Sequence, residues 1–227
     1  MKIFDMEGTP NAARIRIVVA AKGLDDAIAF ERVDLISAEQ KRREFLAMNP
    51  IGKIPVLQLD DGTIISESTA ITEYLDNLDG SPALTGRSPR EKALIHMMQR
   101  RVEQLVLEPL DDHFHYATSG LGKALGPWRM PEWDGRHEWG RRRGDMAARG
   151  FAYFDEVLAD RPYLATEAFA MPDITLYISL IFSDYAGIPT SHLPSLAAWR
   201  AKVADLPIVR NRSGQDLAPG DFERLTQ

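Results

Sequence analysis

The chain has 227 residues, 44% hydrophobic and 26% charged, with 33 acidic groups against 27 basic ones and a formal charge of -6. That length builds a core unaided, the composition is globular and not disordered, and the acidic balance excludes broad attraction to nucleic acid or anionic lipid. Cysteine is absent, which removes disulfides, zinc-thiolate sites, iron-sulfur clusters and any protein-borne thiol nucleophile. If thiol chemistry occurs, the ligand brings the sulfur. Met1-Lys2-Ile3-Phe4-Asp5 has no basic region followed by an apolar signal core, and no run is apolar for long enough to cross a bilayer. A cytoplasmic protein without a membrane partner is therefore expected.

The first eighty residues alternate strand-like and helical patterns, as a crossover-connected α/β sheet does. Ile3 and Phe4 open a strand, residues 11 to 22 carry apolar groups at helical spacing, and Gly23 follows where a left-handed cap would sit. Ala27 to Val33 reads as a second strand. Ser37 with Gln40 reads as a capping box starting a charged helix that ends near Asn49-Pro50. Ile54 to Leu59, Asp61-Gly62 and Thr63 to Ile65 read as a hairpin, followed by a helix from Glu67 to about Leu78.

The stretch from Asp79 to Gly86 is rich in turn formers and marks a domain boundary, beyond which everything reads as helical. Ser88-Pro89-Arg90-Glu91 combines an N-cap, a proline at the first helical position and a capping-box glutamate. The helix it starts runs to about Tyr116, with a kink expected at Pro109. Thr118 to His137 reads as a loop or broken helix, and further helices are expected over Glu138 to Asp160, Pro172 to Gly187 and Pro194 to Asp205. Arg141-Arg142-Arg143, flanked by Glu138 and Asp145, reads as a solvated helix face. Asp111, Asp112, His113 and His115 do not bring like pairs onto one helix face, so no metal site is expected.

Chemistry concentrates in the first part of the chain. Pro55 stands at the start of a strand, where a proline is tolerated and a cis Ile54-Pro55 bond would leave the Ile54 backbone free to pair with a peptide-like ligand. An ordinary edge strand is the plainer account. Glu67-Ser68-Thr69-Ala70-Ile71 begins a helix whose unpaired amides, with the Ser68 hydroxyl, favour a carboxylate while Glu67 supplies the charge for an ammonium. Together they fit the α-amino-acid end of a ligand; alternatively Ser66 caps the helix and Glu67 answers its dipole.

The string Asn49-Pro50-x-Gly52-Lys53-Ile54-Pro55-Val56-Leu57, followed by Glu67-Ser68-x-Ala70-Ile71, resembles the glutathione-binding core of the glutathione transferase family. Ala170-Met171-Pro172-Asp173-Ile174-Thr175 is similar to that family's helical-domain capping motif, and Leu193-Pro194-Ser195-Leu196-x-x-Trp199 to its late helix, so the resemblance spans nearly the whole chain. Position 170 is Ala where the family commonly has Ser or Thr, so Asp173 must hold that helix start by its own hydrogen bonds and charge. The resemblance implies a thioredoxin-like domain over 1–79, a linker over 80–88, an all-helical domain over 89–227, a homodimer, and glutathione in the cleft between the domains. It further implies that Ile54 pairs with the cysteinyl backbone, Glu67 and Ser68 hold the γ-glutamyl end, and Lys53 meets the glycyl carboxylate. Gln40 falls where related transferases place a polar side chain near the glycyl end, and its capping-box role accounts for it equally well.

At the sulfur the family usually offers Tyr, Ser or Cys after the first strand, and the sole hydroxyl between Met1 and Ala20 is Thr9. Thr9-Pro10 is a standard helix start, with threonine as N-cap and proline first in the helix. The same geometry serves chemistry, because a helix N-terminus and nearby donors lower a thiol pKa from about 8.5. Thr9-Pro10-Asn11 also resembles the nu-class transferases, whose threonine and asparagine contact the sulfur of glutathione or its disulfide; those relatives commonly continue with Gly, and Ala12 follows here. Three readings result: a transferase in which Thr9 and Asn11 stabilise the glutathione thiolate for attack on an electrophile, a glutathione-dependent disulfide or peroxide reductase, and a non-catalytic scaffold of the same fold. The electrophile pocket would draw on Met97, Met98, Arg101, Phe114 and the Trp128 region, residues equally accounted for as core or interface.

Overall fold

The computed structural model describes residues 1–118 and 135–215, together with Asp221 and Arg224. Strand β1 (Lys2–Asp5), helix α1 (Pro10–Ala21), strand β2 (Ala29–Arg32), a 3-10 turn (Glu39–Lys41), helix α2 (Arg43–Met48), the hairpin β3 (Val56–Gln58) and β4 (Ile64–Ser66), and helix α3 (Ser68–Asn77) form the first part. The sheet order is β2-β1-β3-β4, with β1 parallel to β2 and the other pairs antiparallel. This is the expected thioredoxin-like β-α-β-α-β-β-α arrangement. Side-chain alternation splits the sheet cleanly. Ile3 and Leu57 face α1 and α3 in the main core, while Val56 joins Met6, Val33, Phe45 and Ile54 against α2 on the other side.

The hairpin turns where expected: Gly62 has φ 88°, and the Asp61 side chain accepts from the Thr63 amide. The expected Ser37–Gln40 capping box does not form. Asp34 wins the local competition, taking the amides of Ile36 and Ser37 on its side chain, while the Glu39 carboxylate reaches back to the Asp34 amide at 2.7 Å. The chain then makes a 3-10 turn entered through Ala38 at φ 58°, and α2 starts only at Arg43. Ser66 does not cap α3 either; it ends β4, and Glu67 occupies the cap position without a side-chain cap bond.

Beyond Asn77 the chain is helical: α4 (Pro89–Val102), a π-helical segment (Glu103–Leu107), α5 (Glu108–Ala117), α6 (Arg136–Leu158), α7 (Met171–Ala186), α8 (Pro194–Ala204) and α9 (Pro207–Arg210). The capping box at α4 is complete, Ser88 accepting from the Glu91 amide and Glu91 from the Ser88 amide. Pro109 produces the π segment in place of a simple kink. Lacking an amide, it cannot bond the Leu105 carbonyl, and the ladder widens so that the Glu108 amide reaches Glu103. Gly150 of α6 packs onto that carbonyl so closely that a Cβ there would lie 2.1 Å from the Leu105 oxygen.

The two parts share one core, in which Ile15, Ile17 and Val18 of α1 lie with Leu176, Leu180 and Phe182 of α7. The connection is pinned. Asp76, fully buried, accepts from the amides of Ala83, Leu84 and Thr85 and from the Thr85 hydroxyl. At α7 the Asp173 side chain accepts from the amides of Leu164 and Ala170 at 2.9 Å, holding the helix start without help from Ala170 as expected. Burial pushes its carboxyl up to about 7 against those two bonds. The segment after α9 returns to α1 and the turn before it: Ser213 accepts from the buried Arg16, and the Gly8 amide donates to the Gly214 carbonyl. Among the described residues no helix is long and apolar enough to cross a membrane.

Candidate active site

Strand directions gather the sequence-predicted residues at one end of the sheet. Phe4, near the end of β1, pairs with Val56 at the start of β3, and Val56 pairs with Ser66 at the end of β4. The β1–α1 turn with Thr9, the approach to β3 with Lys53 and Ile54, and the β4–α3 turn with Glu67 and Ser68 therefore open from the same edge. The turn after β2, which carries Gln40, leaves from that edge too because β2 runs parallel to β1.

The Ile54-Pro55 bond is cis. Asn49 braces the approach, donating its side-chain amide to the Lys53 carbonyl at 2.8 Å. Among the described residues neither the amide nor the carbonyl of Ile54 has a hydrogen-bond partner, although the residue is only 8% exposed. That is one strand-like backbone position open to a ligand. Ser68 is buried in the first turn of α3. Glu67 is exposed and held at φ 70°, ψ 120°, a conformation an L-residue adopts only when its surroundings impose it. Gln40 is 5% exposed in the 3-10 turn.

At the sulfur position the cap reading of Thr9 needs correction. Thr9 is the residue preceding α1, but its side chain caps nothing and donates instead to the Met6 carbonyl at 2.7 Å. Its one hydroxyl proton is thereby engaged. Asn11, half-buried, accepts on Oδ1 from Arg14 at 3.0 Å, while its Nδ2 has no partner among the described residues.

Arg14 belongs to a polar chain that sequence reasoning missed. It is 5% exposed and lies 3.5 Å from Glu103, whose Oε1 also accepts from Thr69 at 2.8 Å and Gln99 at 2.7 Å; Gln99 in turn accepts from Thr175 of α7. Burial pushes the Arg14 guanidinium below its ordinary range, and Glu103 and then Glu67 oppose that shift. The signal was available: two arginines in a helix otherwise apolar all round require buried partners.

Lys53 reaches across to α5, its Nζ 3.6 Å from Asp111. Burial raises the Asp111 carboxyl, but His115 and Lys53 outweigh it and hold the group at about 2. Asp112 pairs with Arg143 at 2.6 Å, and His113 meets the carbonyls of Gly140 and Ala186. Among the described residues no group of three or more His, Asp or Glu could hold a metal ion.

The residues named for an electrophile pocket do not converge. Met97, Met98 and Arg101 line a groove of about 420 Å³ between α4 and α6 with Tyr153 and Val157, which none of the glutathione-site candidates enters. Phe114 instead packs edge-on against Phe182, and Trp128 lies outside the described residues.

Residues 9–78 match the family model described as glutathione S-transferase, N-terminal domain. Glutathione S-transferase 2 of Saccharomyces cerevisiae is 44% identical over 211 residues, covering 92% of this chain and 88% of the relative. Maleylacetoacetate isomerase of Pseudomonas aeruginosa is 28% identical over 206 residues, covering 91% and 90%. Among solved structures, Gtt2 from Saccharomyces cerevisiae superimposes with a TM-score of 0.85 at 43% identity, covering 93% of this chain and 99% of that one. A glutathione S-transferase domain-containing protein of Marinobacter aquaeolei gives 0.84 at 42% identity, covering 92% and 100%.

Proposed function

The chain belongs to the glutathione S-transferase family, and on that premise we propose that it binds glutathione at the sheet-end cleft and activates its thiolate for attack on a hydrophobic electrophile. The observation that supports this reading is that a backbone position at Ile54, a helix N-terminus at Ser68 and a side-chain donor on Asn11 belong to turns at one end of the sheet, with Ile54 and the Asn11 Nδ2 having no partner among the described residues. A tripeptide with an α-amino acid at one end and a thiol in its middle uses all three.

In the proposed complex the γ-glutamyl carboxylate takes the first amides of α3 and the Ser68 hydroxyl, and its ammonium faces Glu67. The cysteinyl backbone pairs with Ile54, which places the thiol toward the β1–α1 turn. Lys53 meets the glycyl carboxylate, with Gln40 on the same side. At the sulfur Asn11 acts as donor from Nδ2. Thr9, whose proton is given to Met6, shapes the turn and can accept from a thiol but has no proton for a thiolate. Donors that meet developing charge shift the thiol toward thiolate, which is the nucleophile; the proton passes to solvent. The reading carries with it the domain division at 79 and 88, a cytoplasmic homodimer and a role in detoxification.

Calorimetric titration with reduced and then oxidised glutathione, on the wild type and on Glu67→Ala, tests the reading before any electrophile is chosen. Preferential binding of the reduced form, weakened at least about tenfold in the variant by loss of a charged hydrogen-bond acceptor, is expected. Preference for the oxidised form would redirect the assignment to disulfide or peroxide reduction. Binding of neither form would leave a scaffold.

A further inference from the structure

An asparagine can stabilise a thiolate with one end of its amide and repel it with the other. Its NH2 group donates, its carbonyl presents lone pairs, and the two ends have nearly the same size and shape. Something must therefore choose which end faces the sulfur. In this structure the choice is made on the opposite side of the residue: the Arg14 guanidinium donates to Asn11 Oδ1 at 3.0 Å, and Nδ2 has no partner among the described residues.

We infer that Arg14 is a positioning residue for the sulfur site, locking the Asn11 amide with its donor toward the cleft. A guanidinium has only donors, so it accepts no alternative orientation of its neighbour. Arg14 is itself fixed. It lies one turn along α1 from Asn11, is 5% exposed, and turns its other nitrogen toward Glu103, which Thr69 and Gln99 also hold. The donor polarity at the sulfur is thus set from the helical part of the chain, through a planar fork that spans Asn11 and Glu103. A lysine could not do the same, because a single ammonium on a flexible stem lacks the two-sided geometry.

The inference rests on the glutathione reading above, and the experiment separates the two. The pKa of bound glutathione is read from the ultraviolet absorbance of its thiolate against pH, in the wild type, Arg14→Met, Asn11→Ala and the double variant. Arg14→Met is expected to raise that pKa by about one unit, a tenfold loss of thiolate well below the pKa, and to raise it no further once Asn11 is alanine. Equal rises in both backgrounds would show Arg14 acting by its own charge and overturn the inference, as would no rise at all. If Asn11→Ala alone leaves the pKa unmoved, the donor role of Asn11 fails first. Arg14→Lys keeps the buried charge and carries the same cycle if the methionine variant does not fold. It too is expected to raise the pKa only where Asn11 is present, and an unmoved value would count against the assignment.

Discussion

Lys53, the residue assigned to the glycyl carboxylate, already has an anion. Its ammonium lies 3.6 Å from Asp111, with side-chain exposures of 67% and 38%. A glutathione carboxylate arriving at Lys53 must displace that partner, so Asp111→Asn should tighten binding. The size of the gain follows from the exposure. A solvated pair longer than a good hydrogen bond contributes about 0.2 to 1 kcal/mol, so the dissociation constant should fall by about 1.4- to 5-fold. Calorimetry at low salt should show the gain, and added salt should shrink it, since a solvent-exposed ion pair weakens as ionic strength rises. Asp112→Asn is the comparison, because Asp112 pairs directly with Arg143 and feels Lys53 only as a weaker, more distant charge, so it should change affinity less. With Asp111 held at about 2, the group stays ionised from pH 5 to 8 and the gain should be flat across that range. Unchanged or weaker binding by Asp111→Asn at low salt would refute the competition and make Asp111 a support for Lys53.

Other consequences concern the frame around the site. Asp76→Ala strands the buried amides of Leu84 and Thr85 and frees the exposed one of Ala83 to water, and at about 1 to 3 kcal/mol for each buried orphan the loss should reach about 2 to 6 kcal/mol. A urea midpoint shift worth less than about 1 kcal/mol would contradict this accounting. Asp173 titrates near 7 when folded against 3.8 otherwise, so its neutral form is favoured by folding, and its contribution is full below about pH 4 and lost as pH rises through 7. Between pH 5 and 8 the wild type should lose stability relative to Asp173→Asn, and a constant difference in thermal midpoints would exclude the linkage. Gly150→Ala places a methyl 2.1 Å from the Leu105 oxygen and should lower the midpoint despite alanine's better helix propensity; a raised midpoint would mean that α6 moves freely.

What could be read from the sequence was local. The Ser88 capping box, the Asp61-Gly62 turn, the cis bond before Pro55 and the left-handed Gly23 each depend on a few adjacent residues, and the structure contains all of them. Ser37–Gln40 failed for an equally local reason, since the Asp34 carboxylate takes the Ser37 amide that the Gln40 side chain would have bonded. Pro109 was read correctly as a disturbance, but its form, a π segment against Gly150, depends on a helix more than forty residues away. The polar contacts around the candidate site were hidden by distance. Arg14 and Glu103 are 89 residues apart and Lys53 meets a carboxylate on α5, so no spacing rule connects them. The short helix α9 gave no periodic signal to find.

The pairing of Gly8 with Gly214, and of Arg16 with Ser213 197 positions later, sets an order of manufacture. Thr9 and Asn11 are made about two hundred residues before Gly214, on a turn whose Gly8 amide bonds water until then. The residues that fasten it are made after α9. A nascent chain can complete its sheet and the helices up to α9 while this corner stays loose, so the turn that carries Thr9 and Asn11 is fastened only once Ser213 and Gly214 have been made. A chain nicked between α9 and Ser213 would keep nearly all of its fold yet lose the fastening, giving a protein that passes for native by circular dichroism while the turn between β1 and α1 is loose.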